Sequence, residues 1–550
     1  MINNNNISKY FAYFFFSIFF FIGILTFKDY GISVDEEYQR IAGFYWLNYL
    51  LSFTSFEDLK SISAFKFDQI VDFTLPHPKD HIYYGIIFDL PMAFFEVIFK
   101  IEDSKDYFHF RHLSNFLLFF IASIFFYKLL LNRFLSYSIS LIGVLFFILS
   151  PRIYGSSFFN NKDVVFLSLA TIAIFYCFKV FDKTSYKNLL LFALFAGLST
   201  SHRILGIFLP ISFLVFYLLS ILSNNKDLNK LPSIVFFLFF YFFISTLFWP
   251  VLWKDPFENF ILAFKYFSDH PLKIGMLFDG QYIKTTLLPF NYIFKWIFIS
   301  TPILYSFLFI VGYSQILKKF FLKFINIKDT PSKYDLWKDN NEKKDLFILF
   351  NITCVISYLV FFNVILYNGW RHTYFINIFI IYIAVYAFYQ INISFKKQYF
   401  KKVQFGLVLI YLIFILNKML IYHPYQNIYF NSLYNDLSIH KKFEVDYWGL
   451  TGKKFFNDIL ILNPDKSQIK IGTASFLPLH RSIKLLDKRK RGKIQIIGQD
   501  FQNADYLYSN FISEVDKNSD DKYKIPDNFT KIDEFILDNV KIYQVFKKNY

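Results

Sequence analysis

Cysteine is nearly missing from this 550-residue chain: there are two, Cys177 and Cys354, each inside an apolar run. With no Cys-x-x-Cys pair, neither a zinc knuckle nor a disulfide framework is indicated. Charge is scarce too. Charged residues make up 18% of the chain and hydrophobic residues 55%, where soluble domains carry about 25% and ~45–50%. Metal-ligand spacing is also lacking, so no essential metal and no cofactor is expected. The first apolar segment exceeds the ~7–15 residues of a cleavable signal core and no small-x-small site follows it, so it reads as a retained anchor. Neither a solenoid-length repeat nor a low-complexity linker is found.

What the chain has instead is apolar runs of span length, which recur along most of it. A bilayer core takes about 20 residues of helix. By that criterion about eleven spans are expected, near 9–27, 112–131, 134–150, 164–181, 188–202, 204–223, 232–249, 293–316, 346–367, 372–391 and 403–421. The chain is therefore read as an all-α polytopic membrane protein. Its 80 Phe and 40 Tyr, with many Lys, Asn and Ile, fit the codon bias of an AT-rich genome. The net charge of +16 does not point to nucleic acid, because much of the Lys excess lies in short loops between spans.

Those loops set the orientation. Lys128 and Arg133; Lys179, Lys183 and Lys187; Lys226 and Lys230; Lys318, Lys319, Lys323 and Lys328; and Lys396, Lys397, Lys401 and Lys402 fall in alternate loops. They share one face, which the positive-inside rule makes cytoplasmic. The amino terminus is then inside, and an odd span count puts the carboxyl terminus in a periplasm or its equivalent. The long pieces lie outside: 28–111, and about 250–292, which opens on the aromatic string Trp249-Pro250-Val251-Leu252-Trp253. Within the first, Ile41 to Phe53 and Tyr83 to Ile101 read as helices lying in the interface. Two domains are expected, a membrane core over 1–422 and a small α/β periplasmic domain over 423–550. The latter has a helix at Lys453 to Leu462 and strands at Gln468 to Thr473, Lys493 to Ile497, Ala504 to Ser509 and Val540 to Phe546. Its basic run, Lys484 to Arg491, reads as a solvated face.

On this topology ionisable residues collect at the outer span ends. Asp35 and Glu36 follow the first span; His77 sits in a Thr-Leu-Pro-His-Pro-Lys string; Arg111 opens the second span; then come Lys162-Asp163, His202-Arg203 and Trp370-Arg371-His372. Each alone has a structural reading: a turn at His77-Pro78, a helix cap at Lys162-Asp163, a headgroup anchor at Arg111 or Arg371. Together, from separate spans and on one side, they suggest a shared anionic-ligand pocket, since charge near a bilayer is costly.

Their order resembles a known family. A first span followed by an outer Asp-Glu, then a His-Pro, then an Arg opening the second span is similar to the lipid-carrier-dependent GT-C glycosyltransferases of the protein O-mannosyltransferase and aminoarabinose transferase kind. So are Ser150-Pro151 with Asn160-Asn161-Lys162-Asp163, and Gly197-Leu198 through His202-Arg203-Ile204-Leu205-Gly206. Asn368 through Phe375, His423-Pro424-Tyr425-Gln426 and Asp446-Tyr447-Trp448-Gly449 resemble a bacterial branch of it. One departure stands out: Lys79-Asp80 follows the His-Pro where Pro-Leu is usual.

The resemblance implies a GT-C-like core and a membrane glycosyltransferase of the bacterial inner (plasma) membrane. It would move a sugar from a polyprenyl-phosphate carrier to a hydroxyl on a glycan, lipid or protein acceptor. Asp35 would be the catalytic acid/base with Glu36 beside it. Arg111, Lys162, Arg203, His202, Arg371 and His77 would serve the carrier phosphate, and Asp163 would line the same cavity. The chemistry is consistent, because the phosphate leaves as a stable anion and the acceptor hydroxyl needs a base, with cations to meet the departing charge. A base opposite the phosphate implies inversion. The alternative is a transporter or flippase of a lipid-linked sugar; such proteins tend to show internal pseudo-symmetry, and no repeated hydropathy half is seen here. A structural or scaffold membrane protein is a third reading.

Overall fold

The computed structural model describes residues 4–70, 83–223, 231–270, 273–325, 336–512 and 522–549. His77, Lys226, Lys230 and Lys328 lie outside these residues. The first helix, α1 (Asn4–Thr26), is apolar on every side. Its Phe16 and Phe19 pack edge-on against Phe120, Tyr127, Phe116 and Phe119, while Tyr10, Phe14, Phe21 and Leu25 face outward, as expected of a helix against lipid. Short helices follow: α2 (Glu36–Leu51), α3 (Glu57–Ile70) and α4 (Asp89–Ile98). At 1.5 Å per residue α4 is about 15 Å long and α2 about 24 Å, too short for a hydrocarbon core of about 30 Å. Helices are thus present in both stretches where the sequence places them, the second covering only Asp89–Ile98 of the expected Tyr83 to Ile101. They are joined by Ile41, Phe44, Leu47 and Leu51 against Ala93 and Val97 and by a buried Arg40–Glu96 ion pair. The sequence reading had not anticipated α3.

Helix α5 (Ser104–Phe134) has 31 residues and is capped by Asp103, whose side chain accepts from the Lys105 amide at 2.9 Å. Arg111 and Arg133 both sit on it, about 33 Å apart along its axis, so one helix places a guanidinium near each edge of a hydrocarbon core. Next, α6 (Tyr137–Ile148) and α7 (Pro151–Phe159) are bent by 64° at Leu149-Ser150. Pro151 opens α7 and Ser150 is extended, the conformation a residue before proline prefers. Helix α8 (Asp163–Asp182) is apolar and buried nearly all round, so it is the central post. Around it stand α9 (Tyr186–His202), α10 (Phe208–Ser223) and α11 (Leu231–Leu247). Then come α12 (Pro256–Ser268), a hairpin of β1 (Gly275–Phe278) and β2 (Gln281–Lys284), and α13 (Tyr292–Ser300). The bundle closes with α14 (Ile303–Ile325), α15 (Asn340–Phe361), α16 (Ile376–Ser394) and α17 (Gln398–Ile421).

Among the described residues eight helices are long and apolar enough to cross a membrane, or nine if the bent α6–α7 pair is one span. The difference from the expected eleven has local causes. Helices α9 and α11 have 17 residues each, at the short limit of a span. Helix α6 has 12 residues and counts only when joined to α7. The expected span at 293–316 is still counted but starts later, at Ile303, because Pro302 holds Thr301 extended. The basic ends do meet. Arg133 at the end of α5 pairs with Asp345 near the start of α15 (2.5 Å). Lys344 reaches Asp182 at the end of α8 (2.6 Å), and Lys323 near the end of α14 pairs with Glu342.

Beyond α17, residues 422–451 run over the opposite end of the bundle, buried at 425–431 and 445–451. The Asn431 amide bonds the Ile299 carbonyl at 2.8 Å and Arg152 Nε donates to the Tyr429 carbonyl at 2.9 Å. Helix α18 (Gly452–Leu462) and α19 (Lys488–Arg491) accompany a five-stranded sheet of order β4-β3-β5-β7-β6. Its strands are β3 (Ile469–Thr473), β4 (Ile494–Gly498), β5 (Tyr506–Ser509), β6 (Phe529–Leu537) and β7 (Val540–Lys548). The first three run parallel, and β7 is antiparallel to both neighbours. The expected helix and four strands are all present. The added β6 is joined to β7 by Asp538-Asn539, both with positive φ, the backbone a two-residue hairpin turn demands.

Candidate active site

The site grows from the loop after α1. Gly31 lies so close to the Leu450 backbone that a Cβ there would stand 2.3 Å from the carbonyl oxygen, so only glycine lets the loop dock on the carboxyl-terminal segment. Tyr30 stacks on Phe158 at 4.0 Å and donates to Gln426 at 3.1 Å. The Val34 amide donates to the Trp448 carbonyl at 3.1 Å, and Arg481 donates to the Val34 carbonyl. Three acids follow in a row at the amino end of α2, where the helix dipole favours negative charge. Their fates differ. Glu36 is 1% exposed; one oxygen accepts from the Ser33 amide at 2.6 Å and the other meets His112 Nε2 at 2.8 Å. Glu37, also buried, pairs with Lys484 and lies 3.6 Å from Arg481. Asp35 alone stays accessible, with 35% of its side chain exposed, and it pairs with Arg371.

Arg371 is 3% exposed. Its guanidinium carbon lies 4.8 Å from the Tyr367 ring centroid and 4.5 Å from that of Trp448. Burial opposes its charge, but Asp35, Tyr367 and Asp163 outweigh this and hold its pKa above the usual value. Burial leaves the neighbouring His372 neutral, its pKa pushed well below the usual imidazole value.

The turn between α7 and α8 supplies the next pair. Asn160 is a local brace: its side-chain oxygen accepts from the Lys162 and Asp163 amides (3.3 and 2.9 Å), and its amide donates to Asp163 at 2.9 Å. Asp163 then pairs with Arg203. His202 Nε2 lies 2.9 Å from the Lys162 carbonyl and is buried, so it fixes this turn. The Lys162 ammonium lies 3.9 Å from the Tyr84 ring centroid. Burial drives its pKa down to about 7, with Asp89 opposing, Arg203 assisting, and Asp163 and Asp35 opposing.

Asp89, at the start of α4, completes the set. It accepts from Asn161 at 3.1 Å and lies 3.4 Å from Arg111. Burial raises its pKa above the usual carboxylate value, with Arg111 opposing. Arg111 Nε and Nη2 are buried with no hydrogen-bond partner among the described residues. Thus Asp35, Arg371, Asp163, Arg203, Lys162, Asp89 and Arg111 form one connected group drawn from six separate segments. Four cations face three carboxylates. Against Arg203, Tyr367 and Tyr84 opens a narrow cleft whose walls are mostly apolar, with Phe208, Phe264 and Leu359 among them. A charged mouth on an apolar cleft suits an amphipathic ligand with an anionic head. No group of three or more His, Cys, Asp or Glu able to hold a metal ion is found among the described residues.

Residues 92–249 match the family model described as dolichyl-phosphate-mannose-protein mannosyltransferase. The resemblance to lipid-carrier-dependent GT-C glycosyltransferases is thereby borne out over a stretch that holds Arg111, Lys162, Asp163, His202 and Arg203. None of the curated proteins matches the sequence. Several solved structures match the chain, and two of them are of one protein. One is ArnT from Cupriavidus metallidurans bound to undecaprenyl phosphate, with TM-score 0.45 and 9% identity, covering 97% of this chain and 98% of that one. The other is the same protein in the apo state, with TM-score 0.43, 10% identity and the same coverage.

Asp89, Asn161, Tyr84, His112 and Trp448 join the site without having been assigned to it from the sequence. Asp89 lies in the stretch Tyr83 to Ile101 that reads from sequence as an interfacial helix. The basic run near 484–491 is a correction: Lys488, Arg489 and Lys490 are exposed, but Lys484 holds Glu37, and Arg491 reaches Asp103 at 2.6 Å.

Proposed function

We propose that this chain is a membrane glycosyltransferase that takes a sugar from a polyprenyl-phosphate carrier and transfers it to a hydroxyl acceptor. The observation that carries the reading is the accessible Asp35 carboxylate, paired with Arg371 and within electrostatic reach of Lys162, in a charged group that meets an apolar cleft at Arg203. The isoprenoid chain lies in the cleft, with its phosphate toward the cations. Asp35 takes the proton from the acceptor hydroxyl as that oxygen bonds to the anomeric carbon. The bond from that carbon to the phosphate oxygen breaks, and the polyprenyl phosphate leaves as an anion stabilised by the guanidinium and ammonium groups. Attack from the face opposite the phosphate inverts the anomeric centre. Since Arg371 contacts Asp35 directly, an arriving phosphate competes for it and leaves the carboxylate free for the hydroxyl.

Glu36 serves by position, because Ser33 and His112 occupy both its oxygens. The cations take the place a metal would hold, so the reaction is metal-independent. The site faces the periplasm of a bacterial inner membrane, with the amino terminus in the cytoplasm. The membrane core spans 1–422 and the extracytoplasmic domain 423–550.

Membranes given a labelled polyprenyl-phosphate sugar test this. Wild type should transfer label with EDTA present, and Asp35→Asn should not. Equal transfer by the variant removes Asp35 as the base. Flux of lipid-linked sugar across proteoliposomes without any transfer product would mark a transporter instead.

A further inference from the structure

Trp448 touches Arg371 and the residue before Asp35 without belonging to the membrane bundle. Its ring lies 4.5 Å from the Arg371 guanidinium carbon. Its carbonyl accepts from the amide of Val34, the residue before Asp35, at 3.1 Å. It is 1% exposed, and its ring meets Phe159 edge-on at 5.6 Å. The turn that presents it is rigid. Both oxygens of the buried Asp446 carboxylate are used: one accepts from the Gly449 and Leu450 amides (3.1 and 3.2 Å), the other from the Thr451 amide and hydroxyl (3.1 and 2.6 Å). Gly449 has φ +75°, which suits glycine. Asn510, just after β5, donates to the Asp446 carbonyl at 3.2 Å, so the turn is tied to the sheet.

We propose that Trp448 is a positioning residue for Arg371. Its indole face and the Tyr367 ring hold the guanidinium at the Asp35 carboxylate, where the carrier phosphate arrives. The proposal rests on the glycosyltransferase reading above. A flat cation beside two aromatic faces loses the freedom to rotate away, and the contact strengthens where water is excluded. The extramembrane sheet thus sets the geometry of a phosphate contact through the 446–451 turn.

The test is binding of undecaprenyl phosphate to the full-length protein in nanodiscs. Trp448→Leu should weaken binding about five- to thirtyfold with an unchanged melting temperature. Trp448→Phe, which keeps an aromatic face, should stay within about threefold of wild type. In an Arg371→Gln background Trp448→Leu should add nothing further, because there is no guanidinium left to hold. Should Trp448→Leu not fold, Trp448→Met takes its place. If wild type binds the probe and Trp448→Leu binds it equally well, the positioning role is overturned. It is overturned too if Trp448→Phe fails as badly as Trp448→Leu, or if the loss persists in full without Arg371. Failure of wild type itself to bind overturns the functional reading instead.

Discussion

Charge is buried at both ends of the bundle, and the two ends are built differently. At the end where α5, α8, α14 and α15 meet, the buried charges named here are paired among the described residues. Arg133 gives Asp345 two hydrogen bonds, Tyr382 adds a third at 2.8 Å, and Lys344 reaches Asp182 and Asn132 at 2.6 and 2.8 Å. At the other end the pairing is incomplete. Arg111 Nε and Nη2, Arg203 Nε, Arg371 Nε and His372 Nδ1 are buried without hydrogen-bond partners among the described residues. Unmade hydrogen bonds cost about 1–3 kcal/mol each when buried, more for charged groups. A closed network is a clamp; an open one of the same residue types is held ready for a ligand that brings the missing acceptors.

Variants at the two ends should separate these roles. The largest effect belongs to Asp35→Asn, which should cut sugar transfer by about 10²–10⁴-fold, the usual worth of a general base, while the melting temperature in detergent stays within a few degrees. Asp345→Ala should do the reverse. Leaving the Arg133 guanidinium buried without its carboxylate should cost about 3–5 kcal/mol, seen as a much lower melting temperature, while the protein that remains folded keeps its affinity for undecaprenyl phosphate. An Asp345→Ala protein that melts like wild type but loses the ligand would erase the distinction between the ends.

Lys162 sharpens the comparison through pH. With its pKa pushed down to about 7, it is cationic below that pH and neutral above. Affinity for an anionic phosphate should be full in mild acid and fall as pH rises through about 7, by at most about tenfold per unit. Lys162→Arg should flatten that profile. A wild-type profile flat from pH 6 to 8 would take Lys162 out of the phosphate site. The smallest effect is expected at Lys484→Ala. Its ion pair with Glu37 is partly exposed at the lysine and should be worth less than about 1 kcal/mol, read as a slight drop in melting temperature.

The sequence showed the parts of this site that depend on local context. Asp35, Arg111, Lys162, Asp163, Arg203 and Arg371 are costly charges at the ends of apolar runs, and periodicity alone locates such ends. The same logic located helices in the stretches that became α2 and α4. What stayed hidden depends on distant partners. Lys484 had no visible reason to leave a solvated face, because Glu37 lies 447 positions away. Trp448 was part of a recognisable string, yet its use depends on a guanidinium 77 positions earlier. Asp89 looks like an interruption until Arg111 and Asn161 close on it. The break at Thr301-Pro302 was readable in principle, since proline marks it, but the apolar run on both sides masked it.

The docking of the first outer loop on Trp448 and Arg481 has a consequence for how the protein is made. Asp35 leaves the ribosome more than 400 residues before the segment that braces it. At about 5–20 residues per second, that is a delay of about 20 to 80 seconds. During that interval the acidic loop lacks its partners in the carboxyl-terminal segment, and its docking is completed only with the last portion of the polypeptide. A product truncated before Trp448 therefore carries the acidic loop without the backbone and side-chain partners that hold it.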